Sequence, residues 1–174
     1  YVVDEPLNLF AAVGDPDGKP DCISAYAVGT DVYVACDLLD ANFTPRGAGK
    51  VAVIDTTNDS VRTTFALPDK NPQGFFIATP ASSVFGGDLL IPTVPSFDTF
   101  GAGCVTRIKP GTTPTATCAA GLSNMALGGF VTAVAAGDKL WLSVVVDQNF
   151  STVSGQLREV DLATGMLSGT PVSS

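Results

Sequence analysis

Histidine is missing from all 174 residues of the chain. Its absence removes the commonest general base and the commonest metal ligand, and every Ser-His-Asp or Cys-His scheme of nucleophilic catalysis. Positive charge is scarce as well. Nine Lys and Arg stand against 17 Asp and Glu, a net charge of −8, with a pI near 4.2. The nine cations are scattered singly, so there is no basic patch to neutralise phosphates, and nucleic acid is not an expected partner. No apolar run reaches the roughly 18 residues of a membrane-spanning helix. Charged residues make up only 15% of the chain, yet hydrophobic residues reach 45%, which supplies a core and argues against wholesale disorder. The sequence opens at Tyr1 without Met, a charged n-region or an apolar h-region. The expectation is that processing removed a signal peptide or that the chain is a piece of something longer. What is plentiful is Gly (18), Pro (12), Thr, Ser and Val, a mixture that suits short strands joined by many turns.

An internal period organises these residues. Three stretches align: Asn42-Phe43-Thr44-Pro45-Arg46-Gly47-Ala48-Gly49-Lys50-Val51, Ser96-Phe97-Asp98-Thr99-Phe100-Gly101-Ala102-Gly103-Cys104-Val105, and Asn149-Phe150-Ser151-Thr152-Val153-Ser154-Gly155-Gln156-Leu157. Their leading Phe43, Phe97 and Phe150 are 54 and 53 residues apart. A turn and an apolar strand precede each stretch: Gly29-Thr30-Asp31 before Val32, Gly86-Gly87-Asp88 before Leu89, and Gly137-Asp138-Lys139 before Leu140. A second strand pair follows each. Every unit therefore predicts four short strands, A to D: A near 23–28, 75–80 and 130–135; B over 32–37, 88–93 and 139–146; C over 50–55, 104–108 and 156–161; D over 60–66, 114–119 and 166–172. Four antiparallel strands in roughly 53 residues is the arithmetic of a β-propeller blade; a β-sandwich is the rival, but sandwiches rarely carry so long a sequence period.

The stretch from Val51 to Pro80 (VAVIDTTNDSV, a D strand, then NPQGFFIATP) resembles the surface-layer-type propeller repeats called YVTN or NHL-like, which run V-x-V-I-D-T, a polar turn, V-x-x-T-I and N-P-x-G. The third unit keeps the pattern in part, through Leu157-Arg158-Glu159-Val160-Asp161. The second has Arg107-Ile108-Lys109-Pro110-Gly111 in its place. The resemblance implies an all-β fold: a β-propeller segment of about three and a half blades, completed by further blades of the same or another chain into a six- to eight-bladed ring. Residues 1–22, with Tyr1-Val2-Val3-Asp4 and Leu9-Phe10-Ala11-Ala12-Val13, read as the C–D hairpin of a partial blade, and 23–74, 75–129 and 130–174 as whole ones. An unclosed ring would leave sheet faces and edges bare, hence the expected further blades.

Cysteines stand at 22, 36, 104 and 118. Within each pair, fourteen residues apart, the midpoint falls on a hairpin turn, at Gly29 or Gly111. Residues equidistant from a turn face each other at Cα separations of roughly 4.5–5.5 Å, inside the disulfide window. Of three connectivities, 22–36 with 104–118 is expected, and two such bonds indicate periplasm, cell surface or medium. Four buried free thiols are the alternative. No C-x-x-C pair suggests a metal.

Chemistry-bearing signals are few. Asp15-Pro16-Asp17-Gly18-Lys19-Pro20-Asp21 has the acidic spacing of a calcium loop, but its twelfth position is Tyr26, where a bidentate carboxylate is needed; a polar connection explains it equally well. Gly47-Ala48-Gly49-Lys50 lacks the glycine spacing of a phosphate loop. The A strands, which face the channel of a propeller, contain no Asp, Glu or Asn, so no metal or other cofactor is expected from these blades. Trp141, between Leu140 and Leu142, reads as packing between blades. That leaves one rim, where B–C loops gather Asn42, Phe43, Arg46, Phe97, Asp98, Phe100, Asp147, Asn149 and Phe150. Aromatic residues in polar loops can anchor a protein partner, although recurrence in register also suits packing between equivalent blades. The functional expectation is a non-catalytic secreted or cell-surface module for protein binding or scaffolding, without catalytic residues. The alternatives are a propeller enzyme of metal-dependent hydrolase or lactonase type, with its active residues in blades outside this chain, and a structural subunit of a surface assembly.

Overall fold

A computed structural model describes residues 7–15, 17–95, 102–137, 139–146 and 154–173. They form an all-β molecule of three antiparallel sheets, taken in chain order. The first is a meander of β1 (Asp21–Val28), β2 (Asp31–Asp37), β3 (Lys50–Asp55) and β4 (Ser60–Ala66). The second pairs β5 (Asn71–Pro72) and β6 (Ile77–Ala78) with β7 (Leu89–Val94), then β8 (Cys104–Lys109) and β9 (Thr115–Ser123). The third is the meander β10 (Phe130–Ala136), β11 (Leu140–Val145), β12 (Gly155–Val160) and β13 (Leu167–Ser173).

Period-2 alternation sends successive side chains to opposite faces, and here both faces of the middle sheet are buried. Leu89 and Ile91 of β7 join Tyr33, Ala35, Val51 and Val53 of the first sheet in one core. Leu90 of the same strand, with Val105, joins Leu140, Leu142 and Val144 of the third sheet in another. All six residues of β7 are buried for this reason. Each fully buried Leu, Ile or Val contributes roughly 1.5–3 kcal/mol, so these two cores are the principal cohesion between sheets. Polar links reinforce them. The Arg62 guanidinium is 2.7 Å from Asp31 and donates to the carbonyls of Thr112 (2.9 Å) and Gly111 (3.0 Å) in the β8–β9 turn. Gly111 N–H donates to the Tyr33 hydroxyl at 3.1 Å, and Val84 N–H to Leu162 O at 2.8 Å.

Two expected strands take other forms. The first strand of the second unit, anticipated over 75–80, is shortened to β6 at Ile77–Ala78, and a separate piece, β5, pairs with the same neighbour earlier in the chain. Pro72 offers no N–H and Gly74 turns the backbone to φ +67, so the ladder breaks between them. Leu9–Val13 is not a strand; Phe10–Val13 form a helical turn, α1. Asn8 Oδ1 accepts from Phe10 N–H at 3.2 Å, and left-handed Gly14 closes the turn by donating to Phe10 O at 2.9 Å. Val13 and Leu9 then cover the far face of the first sheet, against Val34, Cys36, Leu38 and Ala52. Tyr1–Pro6 lie outside the described residues.

All four cysteines are paired, 22 with 36 and 104 with 118, at Cα separations of 3.8 and 5.7 Å. Cys22 stands directly opposite Cys36 because a bulge before Ser24 shifts the register. The second pair is not directly opposed: Cys104 faces Ser123 and Cys118 faces Thr106, so this bond runs diagonally across a bulge.

Candidate functional site

The loop between β2 and β3 is built around one carboxylate. Asp40 Oδ1 accepts from Asn42 N–H at 2.9 Å and Thr44 N–H at 3.0 Å. Its Oδ2 takes the Arg46 guanidinium, with Nε at 2.7 Å and Nη2 closing the fork. Backbone bonds from Asp40 N to Thr44 O (3.0 Å), Phe43 N to Asp40 O (2.7 Å) and Arg46 N to Leu38 O (2.8 Å) complete a tight turn. The amide bond from Thr44, and then the Arg46 fork, hold the Asp40 carboxyl below its usual range. The consequence is an unusual presentation of Phe43. Its φ is +58°, a left-handed conformation rare for a bulky residue, and its side chain is 79% exposed. It does not tuck between sheets. Backbone strain of this kind, held by surrounding bonds, marks a candidate functional residue.

Of the nine rim residues anticipated from sequence, the structure places Asn42, Phe43 and Arg46 in this single loop. Phe97, Asp98, Phe100, Asp147, Asn149 and Phe150 lie outside the described residues. Arg46 is committed to Asp40, so its role is to brace the loop. Asp40 itself was not anticipated, although a signal existed: Asp40-Ala41-Asn42-Phe43 recurs as Asp147-Gln148-Asn149-Phe150. Trp141 does not lie between two of the described sheets. It is half-buried on the face of β11 opposite to Leu140 and Leu142, with Lys139 Nζ 5.8 Å from its ring centroid and bridging to Glu159 at 3.1 Å. The motif glycines have a packing cause. A Cβ on Gly49 would lie 2.7 Å from Lys70 O, and one on Gly103 only 2.2 Å from Thr93 O, so the second glycine of each Gly-Ala-Gly is where two backbones touch.

A second cluster sits at the base of the same loop. Asp37 closes β2 directly opposite Asp21, the residue that opens β1, one step outside the Cys22–Cys36 bond. Asp37 is only 8% exposed, and its Oδ1 has no hydrogen-bond partner. Burial first, and the Asp21 carboxylate second, push its pKa up to about 7. Asp21 is itself raised, by burial and then by Asp15 and Asp17. Nearby, Asp15 Oδ1 accepts from Lys19 N–H (2.9 Å) and Asp17 N–H (3.1 Å). Among the described residues no three Asp, Glu, His or Cys side chains converge as a metal site. Nothing in the sequence distinguishes Asp37 from an exposed strand-end aspartate; its burial is a tertiary consequence of the second sheet.

Taken together, these features define an all-β, disulfide-bonded protein of three antiparallel sheets with a braced aromatic loop at one end. No family model, no curated protein and no solved structure matches the chain.

Proposed function

We propose that the chain is a stretch of β-propeller, related to the YVTN or NHL-like repeats, that works as a secreted or cell-surface protein-binding module without catalysis of its own. Three antiparallel sheets of four to five strands, following one another in the chain and stacked face to face, support the propeller reading. So does the closeness of their opening strands: Phe76 N–H donates to Ser24 Oγ at 2.8 Å, and β6 and β7 lie against β10. Two disulfides support an oxidising compartment, and no helix among the described residues is long and apolar enough to cross a membrane.

The observation that carries the binding reading is Phe43, held out in a left-handed turn by Asp40. An aromatic ring fixed before contact gives up little entropy on binding. A photo-crosslinking phenylalanine at 43, irradiated with the extracellular fraction of the source cells, is expected to yield a discrete protein adduct that the same probe at Lys109 does not. No adduct from 43, or equal labelling from both, would remove the reading. A second reading, a structural subunit, draws on the far face of the third sheet, where Leu157 and Val172 are exposed beside Trp141. It predicts adducts from a probe at Val172 and none from 43.

A further inference from the structure

We propose that Asp21 and Asp37 form a carboxyl pair that holds a single proton in mildly acidic solution and acts as a pH-sensitive latch on the two loops leaving this end of the hairpin, 14–20 and 38–49. The geometry is specific. The two residues are cross-strand neighbours, and the Cys22–Cys36 bond beside them prevents the strands from parting further in. Two carboxylates on directly opposed strand residues cannot both ionise cheaply, least of all with one buried and one of its oxygens unpartnered. A proton is the occupant the site can hold, since a shared proton needs two oxygens and the described residues converge on no three-ligand set.

The surroundings act in both directions at Asp21 and only against ionisation at Asp37. From the loop before β1, Asp15 and Asp17 add negative potential at Asp21, with Lys19 and a backbone bond from Leu39 opposing them. On β3, Lys50 pairs with Cys36 and turns to the other face of the sheet, where its Nζ lies 3.5 Å from the Cβ position of Gly14. β5, which packs against β2, is Asn71–Pro72 and has no titratable group. When pH rises the proton leaves to solvent, two carboxylates face each other, and the repulsion falls outside the disulfide, on the loops. When pH falls the proton returns.

The sign follows from linkage. Asp37 ionises near pH 7 in the folded protein and near 3.9 in an unfolded chain. Between these values the folded state binds more protons, so stability falls as pH rises through the window and levels off above it. The chain has no histidine, so no other side chain of ordinary pKa titrates between pH 5 and 8.

Carbonyl-carbon NMR of the intact protein, titrated from pH 4 to 9, reads Asp37 directly, with the thermal midpoint and amide exchange of both loops followed over the same range. The expected result is an Asp37 midpoint near neutrality, a thermal midpoint several degrees lower at pH 8 than at pH 5, and exchange in 14–20 and 38–49 that accelerates beyond base catalysis while the 56–59 turn does not. Asp37→Asn, the neutral isostere, is expected to abolish the fall and to be the more stable protein at pH 8. Asp37 titrating below pH 5 would overturn the proposal, and so would loops whose exchange follows the 56–59 turn. A stabilisation by millimolar Ca2+ at pH 8 that Asp37→Asn loses would overturn it too, assigning the pair to a cation. The carbon titration needs no variant and stands even where Asp37→Asn fails to fold.

Discussion

Phe43 occupies a backbone conformation that costs a non-glycine residue roughly 1–2 kcal/mol, and it recovers none of that by burial, since its ring lies in solvent. The cost is met by the turn around it, in which Asp40 caps two amides and pairs with Arg46. Phe43→Asn, which relieves the left-handed penalty and removes no packed surface, is expected to raise stability by about 0.5–1 kcal/mol in urea unfolding. A loss of stability would mean that the ring is packed. The repeat itself pointed to this phenylalanine. The carboxylate beneath it was harder to see, because Asp40 has a counterpart in the third unit, Asp147, while the second has Val94 at that place. Asp37 was invisible for a different reason: a strand-end aspartate reads as polar and exposed until another sheet covers it.

Among the elements, the twelve strands expected in the three whole units map onto β1–β4 and β6–β13, with β5 as an extra short piece, whereas the Leu9–Val13 strand expected in the partial unit is a helical turn. The B strands were legible because short apolar runs after Gly-Asp turns mark strands, and the C strands because they recur at the same place in each repeat. The short helical turn at Phe10–Val13 was not, since four apolar residues carry too little periodicity to separate helix from strand. Its ends are decided by Asn8 and Gly14, and its place by the bare face of the first sheet. The Gly-Ala-Gly pair was legible as a repeat but not as a close contact. Gly103, at φ +93 and against Thr93 O, is expected to tolerate no side chain: Gly103→Ala should cost about 3 kcal/mol or more, a strained-backbone and overpacking penalty combined. Gly137→Ala, where a Cβ meets nothing within 4 Å, should change stability by less than about 0.5 kcal/mol. Equal effects in thermal unfolding would contradict the contact.

At the scale of the molecule, cohesion rests on two inter-sheet cores and two cross-links within sheets. Each disulfide spans fourteen residues, and loop-closure entropy assigns a loop of that size roughly 3 kcal/mol. Reduction of both bonds is therefore expected to lower the thermal midpoint by roughly 10–20 °C without changing the order of the sheets; an unchanged midpoint would mean that the bonds constrain little. The cores decide the architecture. A sandwich would set the first and third sheets against each other, whereas here the middle sheet separates them and buries both of its faces. Methyl and aromatic NOEs test this most directly. The stacked arrangement predicts cross-peaks from Tyr33 to Ile91 and Ile108, others from Leu90 to Leu140 and Leu142, and none from Tyr33 to Leu142. Cross-peaks between Tyr33 and Leu142, with those to Ile91 and Ile108 missing, would place the outer sheets face to face and contradict it.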